Sequence, residues 1–405
     1  MENTNTQNPS ELLTNNVQPV GSFDAGKVAT IATGHSLHDT FTAFLPPLLP
    51  VLIEKFGLVK MQAGLLSVFL QTPSLLQPFI GYVADRKALR VFVAATPAIT
   101  AVAMSFIGIA PSYTLVALFL LVAGFSSAVL HSTGPVLAGR LSGDRLGLGM
   151  SFWMVGGEIG RTIGPIIIVN AITYLGPERT PLISIVGILI SVILYVQLGK
   201  VQEPKGKGHL DLPWGEALKT MWPVLIPVAG LVLARSFANA CIGTFLPTYL
   251  TEKGSSLVLA GISLSIMEGA GVIGAFLGGS LSDRLGRRSV LTFSVTFTAL
   301  FVFLLLISDG WVQYPVLLGL GFALLCAPPA LMAIVQESYP ENRALANGIF
   351  MAINFLSQTI SAVSVGRFAD LYSMHNAYVV SSIVILFGLF FIMRLPEKKK
   401  AGVTT

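Results

Sequence analysis

Five charged residues interrupt long apolar stretches of this sequence, where an ionised side chain needs a specific partner. They are Asp39, Glu158, Arg161, Arg235 and Glu268. At the centre of a bilayer an ionised side chain costs at least about 2.5–3.5 kcal/mol on insertion scales, so such groups face a polar cavity or one another. Proton transfer and the binding of ions are the chemistry that these residue types can perform there.

A group of imidazoles surrounds the first of these acids. His35, His38 and Asp39 lie three and four residues apart, so they share one face of a helix. A carboxylate beside imidazoles, which titrate near neutral pH, can take up a proton on one side of a membrane and release it on the other. We favour proton coupling, with Glu158 and Glu268 as further protonation sites. A fixed polar cluster and a metal site are the alternatives.

Other polar residues in apolar stretches are candidates for binding a substrate. They are Arg235, Asn239, His131, Arg161 and Gln71. Arg235 has no acid nearby in the sequence, and its planar guanidinium suits a carboxylate or a phosphonate, although it can instead pair with Asp39. Arg161 lies three residues from Glu158, which predicts either a fixed pair or one that opens when substrate or a proton arrives. For His131 the alternative is a hydrogen bond to a neighbouring helix.

The composition indicates the kind of protein that must position these residues. Charged residues make up 11% of the 405 and hydrophobic residues 53%, whereas soluble domains carry roughly 25% charge. Runs such as 91–110 and 181–198 are long enough to cross a bilayer, which needs about 20 residues of helix. Soluble enzymes and nucleic-acid-binding proteins are therefore excluded. Because nucleotide-binding and hydrolase motifs are absent and both cysteines lie in apolar runs, we expect no enzymatic activity, cofactor or metal.

Division of the sequence at charged, Pro and Gly clusters predicts twelve membrane-spanning helices. They cover residues 28–53, 61–84, 91–110, 113–139, 146–173, 180–199, 222–250, 258–281, 289–308, 311–336, 343–369 and 375–394. The polar segment 200–221 separates two groups of six, 28–199 and 222–394. The predicted fold is thus an all-α polytopic membrane protein with two pseudo-symmetric six-helix bundles. Residues 1–27 and 395–405 are expected to be tails, the first of them disordered.

The basic residues predict the orientation of the chain. Of the 25 Lys and Arg residues, 18 lie on the side of the two termini and five on the opposite side. Lys and Arg in short loops resist translocation, so both termini are expected to be cytoplasmic.

A loop motif occurs twice, 198 residues apart, after the second and eighth predicted helices. The first copy is Gly81, Asp85, Arg86 and Arg90, and the second is Gly279, Asp283, Arg284, Arg287 and Arg288. Phe44-Leu45-Pro46 and Phe245-Leu246-Pro247 also recur at similar depths in the first and seventh helices. Two parallel halves with a site between them are therefore expected, and Pro46, Pro328 and Pro329 predict breaks in their helices.

This pattern resembles the major facilitator superfamily, whose Gly-x-x-x-Asp-Arg loop recurs in each half. The resemblance implies two bundles that rock around a central site, with the loops as gates at the cytoplasmic rim. Residues 74–78, His35-x-x-His38-Asp39 and Arg235-Ser236-Phe237 look like its fosmidomycin-resistance branch, whose members are similar to proton-driven drug exporters of bacterial inner membranes. Gly160, Gly164 and Pro165 resemble the antiporter motif of the fifth helix, for which close packing is the alternative.

The expected function is proton-coupled efflux of a small, anionic organic compound or drug by alternating access. Asp39, assisted by His35 or His38, would bind the proton, and Arg235 would bind the substrate. The alternative is a proton-coupled symporter or a uniporter that imports a small organic acid. The expected partners are the substrate, protons and the lipid bilayer, without nucleic acid, and the chain is expected to be a monomer.

Overall fold

A computed structural model describes residues 23–77, 79–80, 89–199, 214–339 and 343–396, almost entirely as helix and without any strand in these ranges. Ten helices of the described chain are long and apolar enough to cross a membrane. The first two predicted spans are each divided into shorter segments. Span one consists of Ala25–Thr42 and Leu45–Phe56, and span two begins with Lys60–Gln71 and a 3-10 turn, Thr72–Leu76. The all-helical, twelve-span prediction is confirmed.

The remaining ten spans follow in chain order. Spans three to six contain Leu89–Ser105, Tyr113–Leu141, Leu146–Asn170 and Ser184–Leu198; span seven contains Trp214–Asn239 and Leu246–Glu252; spans eight and nine are Leu257–Leu285 and Arg287–Ile307; span ten is Gln313–Leu325 and Ala327–Ser338; span eleven is Arg343–Leu371; span twelve is Met374–Val384 and Gly388–Ile392. The second span of each half and the fifth span of each half form the contact between the halves, two against eleven and five against eight.

Spans one and seven are interrupted at the repeated sequence Phe-Leu-Pro. Span one restarts at Leu45 with Pro46 as its second residue. Span seven passes through a π-helical turn, Ala240–Thr244, and restarts at Leu246, again with proline second. Proline has no N–H to donate and is tolerated in the first turn of a helix, so each Phe-Leu-Pro starts a new segment. The duplicated sequence therefore produces the same break in both halves.

Spans one and seven begin earlier in the structure than the sequence predicts. Span one begins at Ala25, before residue 28, because the Asp24 side chain accepts a hydrogen bond of 3.0 Å from the Lys27 main-chain N–H and caps the helix. Span seven begins at Trp214, so the later part of the predicted linker 200–221 is helical. The rest of that linker, and residues 1–22 and 397–405 of the predicted tails, lie outside the described residues.

Glycines bring the two halves into close contact along spans two and eleven. A Cβ added to Gly64 would lie 2.5 Å from the main-chain oxygen of Ala362. One added to Gly366 would lie 2.5 Å from the main-chain oxygen of Lys60. Both distances are too short for any side chain, so the main chains of the two spans lie against each other.

A carboxylate joins the halves at the end of the bundle where spans one, seven and eleven finish, which we call the distal end. Asp370 of span eleven accepts hydrogen bonds from the main-chain N–H of Lys60 at 2.7 Å and of Met61 at 2.9 Å. These N–H groups begin span two, have no acceptor in their own helix and carry the positive end of its dipole. Lys60 Nζ also lies 2.9 Å from Glu252 Oε1 at the end of span seven. The halves are therefore closed against each other at the distal end.

Replacement of Asp370 by Asn is expected to weaken this closure, because the amide offers one acceptor oxygen and no charge to the start of span two. Hydrogen bonds to charged groups contribute about 1.5–3 kcal/mol each, so loss of one should shift the equilibrium toward open distal ends at least tenfold. Spin labels on Tyr174→Cys and Trp311→Cys, two exposed distal positions, should report longer distances by double electron–electron resonance. The native cysteines are buried.

A matched control removes a charge from an ion pair that lies within the second half. Asp309 Oδ1 lies 2.9 Å from Lys253 Nζ, so Asp309→Asn should leave the distance distribution unchanged. A distribution in Asp370→Asn identical to that of the unmodified chain would contradict the role of the carboxylate in closure.

Candidate functional site

Predicted site residues from spans one, four and five converge on the carboxylate of Asp39. Its side chain is only 4% exposed. Oδ2 lies 3.3 Å from His35 Nε2 and 3.8 Å from Arg161 Nη1, while Oδ1 lies 3.5 Å from His131 Nε2. The structure therefore brings together groups from three spans that the sequence places 30 to 126 residues apart, with Asp39 near the middle of span one.

Arg161 links this carboxylate to two more. Its guanidinium pairs with Glu158 on its own span and lies 4.0 Å from Glu268 Oε2 of span eight. We call His35, Asp39, His131, Glu158, Arg161 and Glu268 the acidic cluster. With neutral imidazoles and three ionised carboxylates, its single guanidinium would leave two negative charges uncompensated inside the bundle. Burial of unpaired charge is unfavourable, so the cluster is suited to take up protons.

The glycines of span five allow the cluster to form. A Cβ on Gly160 would lie 2.1 Å from the main-chain oxygen of Ser36, and one on Gly164 would lie 2.4 Å from that of Thr40. Span five therefore packs directly on the backbone of span one, which carries Asp39. The main-chain oxygen of Pro165 in turn lies 3.2 Å from the position that a Cβ of Gly261 in span eight would occupy. The predicted Gly160, Gly164 and Pro165 motif is thus a packing surface in this structure.

Gly160→Ala and Gly164→Ala are each expected to lower the melting temperature of the purified protein, because the added methyl group must push span five away from span one. Overpacking of this kind typically costs 1–3 kcal/mol. Gly348→Ala is the control, since its Cβ would meet nothing within 4 Å and alanine favours a helix by about 1 kcal/mol over glycine. Equal melting temperatures for all three variants would show that the close approach is unimportant.

His38 lies apart from the ion pairs of the cluster. Its ring is fully buried, neither ring nitrogen has a hydrogen-bond partner among the described residues, and its ring centre lies 6.1 Å from that of His131. Its predicted role in proton coupling has therefore less geometric support than that of His35.

Arg235 lies inside the second half. It is 9% exposed, and Nη2 donates a hydrogen bond of 2.5 Å to the main-chain oxygen of Leu324 in span ten. Its Nε has no acceptor, and no acidic side chain of the described chain lies within ion-pair distance of it. The alternative pairing with Asp39 is not seen in this conformation, since Asp39 contacts residues of its own half. Arg235 is thus a buried cation without a counter-ion among the described residues.

Two predicted substrate-binding residues are uncharged. Asn239 ends the first helical segment of span seven, directly before the π-helical turn. Gln71 ends the first segment of span two, and its Oε1 is buried without a hydrogen-bond donor among the described residues. Both amides therefore lie at irregular points of their spans.

Of the two repeated loops, the second is described in full. Asp283 Oδ1 lies 2.6 Å from Arg287 Nη2, and Arg288 donates a hydrogen bond to the main-chain oxygen of Leu395. Gly279 and the exposed Arg284 lie in the last turns of span eight. In the first loop, Gly81, Asp85 and Arg86 lie outside the described residues. Arg90 follows it and donates to the main-chain oxygen of Gly199. The gating role of both loops stays a prediction.

His35, Asp39 and His131 present three potential ligand atoms for a metal within 4.8 Å of one another. The guanidinium of Arg161 lies 3.8 Å from the same carboxylate and would repel a divalent cation. This neighbour disfavours a metal ion at these three ligand atoms.

The sequence did not point to Asp370, Lys60 or Glu252, because an acid or base at the end of a span is indistinguishable from an ordinary loop charge. It also gave no sign of the main-chain oxygen of Trp153, which lies 2.8 Å from His35 Nδ1. A main-chain acceptor can be located only from the fold.

Comparison with known proteins identifies the family. A model described as Major Facilitator Superfamily matches residues 31–340 and 228–405 of this chain. The chain belongs to the Major Facilitator Superfamily. It is therefore a multi-pass membrane protein and a secondary transporter, not an enzyme, and the resemblance inferred from the repeated loops is confirmed.

Relatives in the superfamily match almost the whole chain. The "Fosmidomycin resistance protein" of Escherichia coli (strain K12) is 26% identical over 92% of this chain and 93% of its own length. The "Uncharacterized MFS-type transporter YfnC" of Bacillus subtilis (strain 168) is 26% identical over 95% and 96%. A solved D-xylose-proton symporter has a TM-score of 0.73 at 15% identity and covers 92% of this chain and 98% of its own. That likeness concerns the fold alone, whereas the first relative confirms the resemblance to the fosmidomycin-resistance branch.

Proposed function

We propose that this superfamily member is a proton-driven exporter of a small organic anion, located in a bacterial inner membrane with both termini cytoplasmic. The acidic cluster carries this proposal, because three carboxylates share one guanidinium inside the bundle. Each proton that enters the cluster lowers its net negative charge, which is otherwise costly to bury. Since the gradient supplies the energy, no cofactor is required, and we expect a monomer because one chain provides both halves of the site.

The cluster also explains how proton uptake can change the conformation. Arg161 of the first half lies 4.0 Å from Glu268 of the second, so their attraction acts across the contact between spans five and eight. Protonation of Glu268 removes this attraction and makes separation of the halves easier. Proton occupancy and the opening of one end are linked through this pair.

Arg235 is the basis for an anionic substrate. A buried guanidinium without a counter-ion is unfavourable until an anion arrives, and its planar fork matches a carboxylate or phosphonate. Fosmidomycin, the compound in the name of the Escherichia coli relative, is itself an anionic phosphonate. We therefore use it as the probe for transport by this chain.

Proteoliposomes with a trapped pH-sensitive dye distinguish export from import. For an antiporter, fosmidomycin added outside enters in exchange for protons, so the lumen becomes more alkaline. Acidification of the lumen would instead identify a proton symporter, and entry of fosmidomycin without any pH change would identify a uniporter. Protein-free liposomes correct for passive leakage.

Asp39→Asn is expected to abolish accumulation of radiolabelled fosmidomycin driven by a pH gradient. The uncharged amide cannot compensate the positive charge of a proton bound in the cluster. Exchange between equal pools of fosmidomycin should survive, since it requires no net proton transfer. Asp309→Asn serves as the control, because Asp309 forms an exposed pair with Lys253 and should not affect either assay. If gradient-driven accumulation remained normal in Asp39→Asn, the coupling role would have to be assigned to Glu158 or Glu268 instead.

Arg235→Gln is expected to raise the KM for fosmidomycin about 10- to 100-fold, because loss of a hydrogen bond to a charged group costs about 1.5–3 kcal/mol. Arg235→Lys keeps the charge but loses the planar fork, so an intermediate KM is expected. Arg367→Gln, at an exposed arginine of span eleven, should leave KM unchanged. An unaltered KM in Arg235→Gln would exclude this residue from the substrate site.

A further inference from the structure

The ring of His35 is held in one orientation by span five. Its Nδ1 lies 2.8 Å from the main-chain oxygen of Trp153, and its plane stacks on the Trp153 indole with centres 3.7 Å apart and an angle of 15°. A Cβ on Gly157 would lie 2.6 Å from His35 Cε1, so the ring fits only because residue 157 is glycine. A carbonyl oxygen can only accept, and therefore His35 Nδ1 carries a hydrogen and donates it.

The opposite nitrogen of this ring faces a second acceptor. His35 Nε2 lies 3.3 Å from Asp39 Oδ2, and both side chains are about 95% buried. When His35 is neutral with its hydrogen on Nδ1, Nε2 carries a lone pair, and an ionised carboxylate carries lone pairs as well. Two buried acceptors that face each other without a donor are unfavourable. The pair is therefore stable only with one additional proton.

We infer that the proton exchanged for substrate resides on His35 Nε2, with Asp39 as its counter-ion and the Trp153 carbonyl as the group that fixes the tautomer. This inference rests on the proposed function and specifies the atom that carries the proton. Asp39 is the less suitable carrier, because its carboxylate also faces His131 Nε2 and the Arg161 guanidinium, so its oxygens are already approached by other groups that can donate to them.

The charged and titratable groups around His35 define when the proton leaves. Asp39 on its own span stabilises the imidazolium. Arg161 of span five and, when protonated, His131 of span four, whose ring centre lies 5.0 Å away, destabilise it. Glu158 and Glu268 influence His35 indirectly, because both attract the guanidinium of Arg161. His38 is the other titratable group on span one.

Arg161 lies between two alternative partners, 3.8 Å from Asp39 and 4.0 Å from Glu268. When the halves separate along spans five and eight, Arg161 loses Glu268 and binds Asp39 more closely. Its charge then replaces that of the imidazolium, and His35 Nε2 releases its proton to water. The proton count balances, because imidazolium becomes neutral imidazole and one proton enters the solvent.

Nitrogen-15 NMR of the full chain in lipid vesicles tests this inference without any substrate. The chain has five histidines, so selective labelling of histidine gives a spectrum with few signals. The His35 signal is the one that disappears in His35→Gln, and it can also be identified by elimination with Gln variants of the other four histidines. At low pH both nitrogens of His35 should be protonated. As the pH rises, Nε2 should lose its proton while Nδ1 keeps its own, the reverse of the tautomer that free histidine prefers.

Two variants provide further readouts. Asp39→Asn should move the loss of the Nε2 proton to lower pH, because the counter-ion is gone, while the tautomer stays the same. Trp153→Phe retains the carbonyl and an aromatic ring, so neither the tautomer nor the titration should change greatly. Loss of the Nδ1 proton instead of the Nε2 proton, or a neutral His35 at every pH at which the protein is folded, would overturn the inference.

Transport assays separate this inference from the proposed function. Gradient-driven fosmidomycin transport that survives in His35→Gln would overturn the assignment of the proton to His35 and leave the exporter intact. Absence of proton exchange in the unmodified protein, together with the expected His35 titration, would refute the proposed function instead.

Discussion

One guanidinium shared among three carboxylates is the interaction on which the rest of this structure depends. Arg161 approaches Glu158 on its own span, Asp39 on span one and Glu268 on span eight. In a medium of low polarity such a group cannot satisfy all three acids at once, so its position depends on which of them are protonated. Because Glu268 belongs to the other half of the chain, the local competition for a positive charge becomes a force between the two halves.

The backbone of span five makes this competition possible. Gly156, Gly160 and Gly164 allow span five to approach the main chain of span one directly. This places Trp153 beside the side chain of His35 and Arg161 beside that of Asp39. A helix at an ordinary distance would keep these groups too far apart for direct contact. The close packing of spans one and five and the arrangement of the acidic cluster thus depend on the same residues.

The sequence predicted the fold well and the site in part. Twelve spans and two halves follow from hydropathy and from the repeated loop and Phe-Leu-Pro sequences, which are strong local signals. Asp39, Glu158, Arg161 and Glu268 could be singled out because charge is rare in apolar stretches. Their convergence on one guanidinium could not be foreseen, since it depends on which helices are neighbours. The tautomer of His35 depends on a main-chain oxygen, and closure at the distal end depends on the main-chain N–H groups at the start of a helix. Main-chain groups are common to all residue types, so the sequence does not mark them.

The closure by Asp370 has a consequence for how such chains diverge. Its carboxylate binds the main-chain N–H groups of residues 60 and 61, which every amino acid except proline provides. The contact with Asp370 therefore places no requirement on the side chains at these two positions beyond the exclusion of proline, although the Lys60 side chain adds its own pair with Glu252. For this contact the requirement for a particular side chain therefore falls on residue 370 alone.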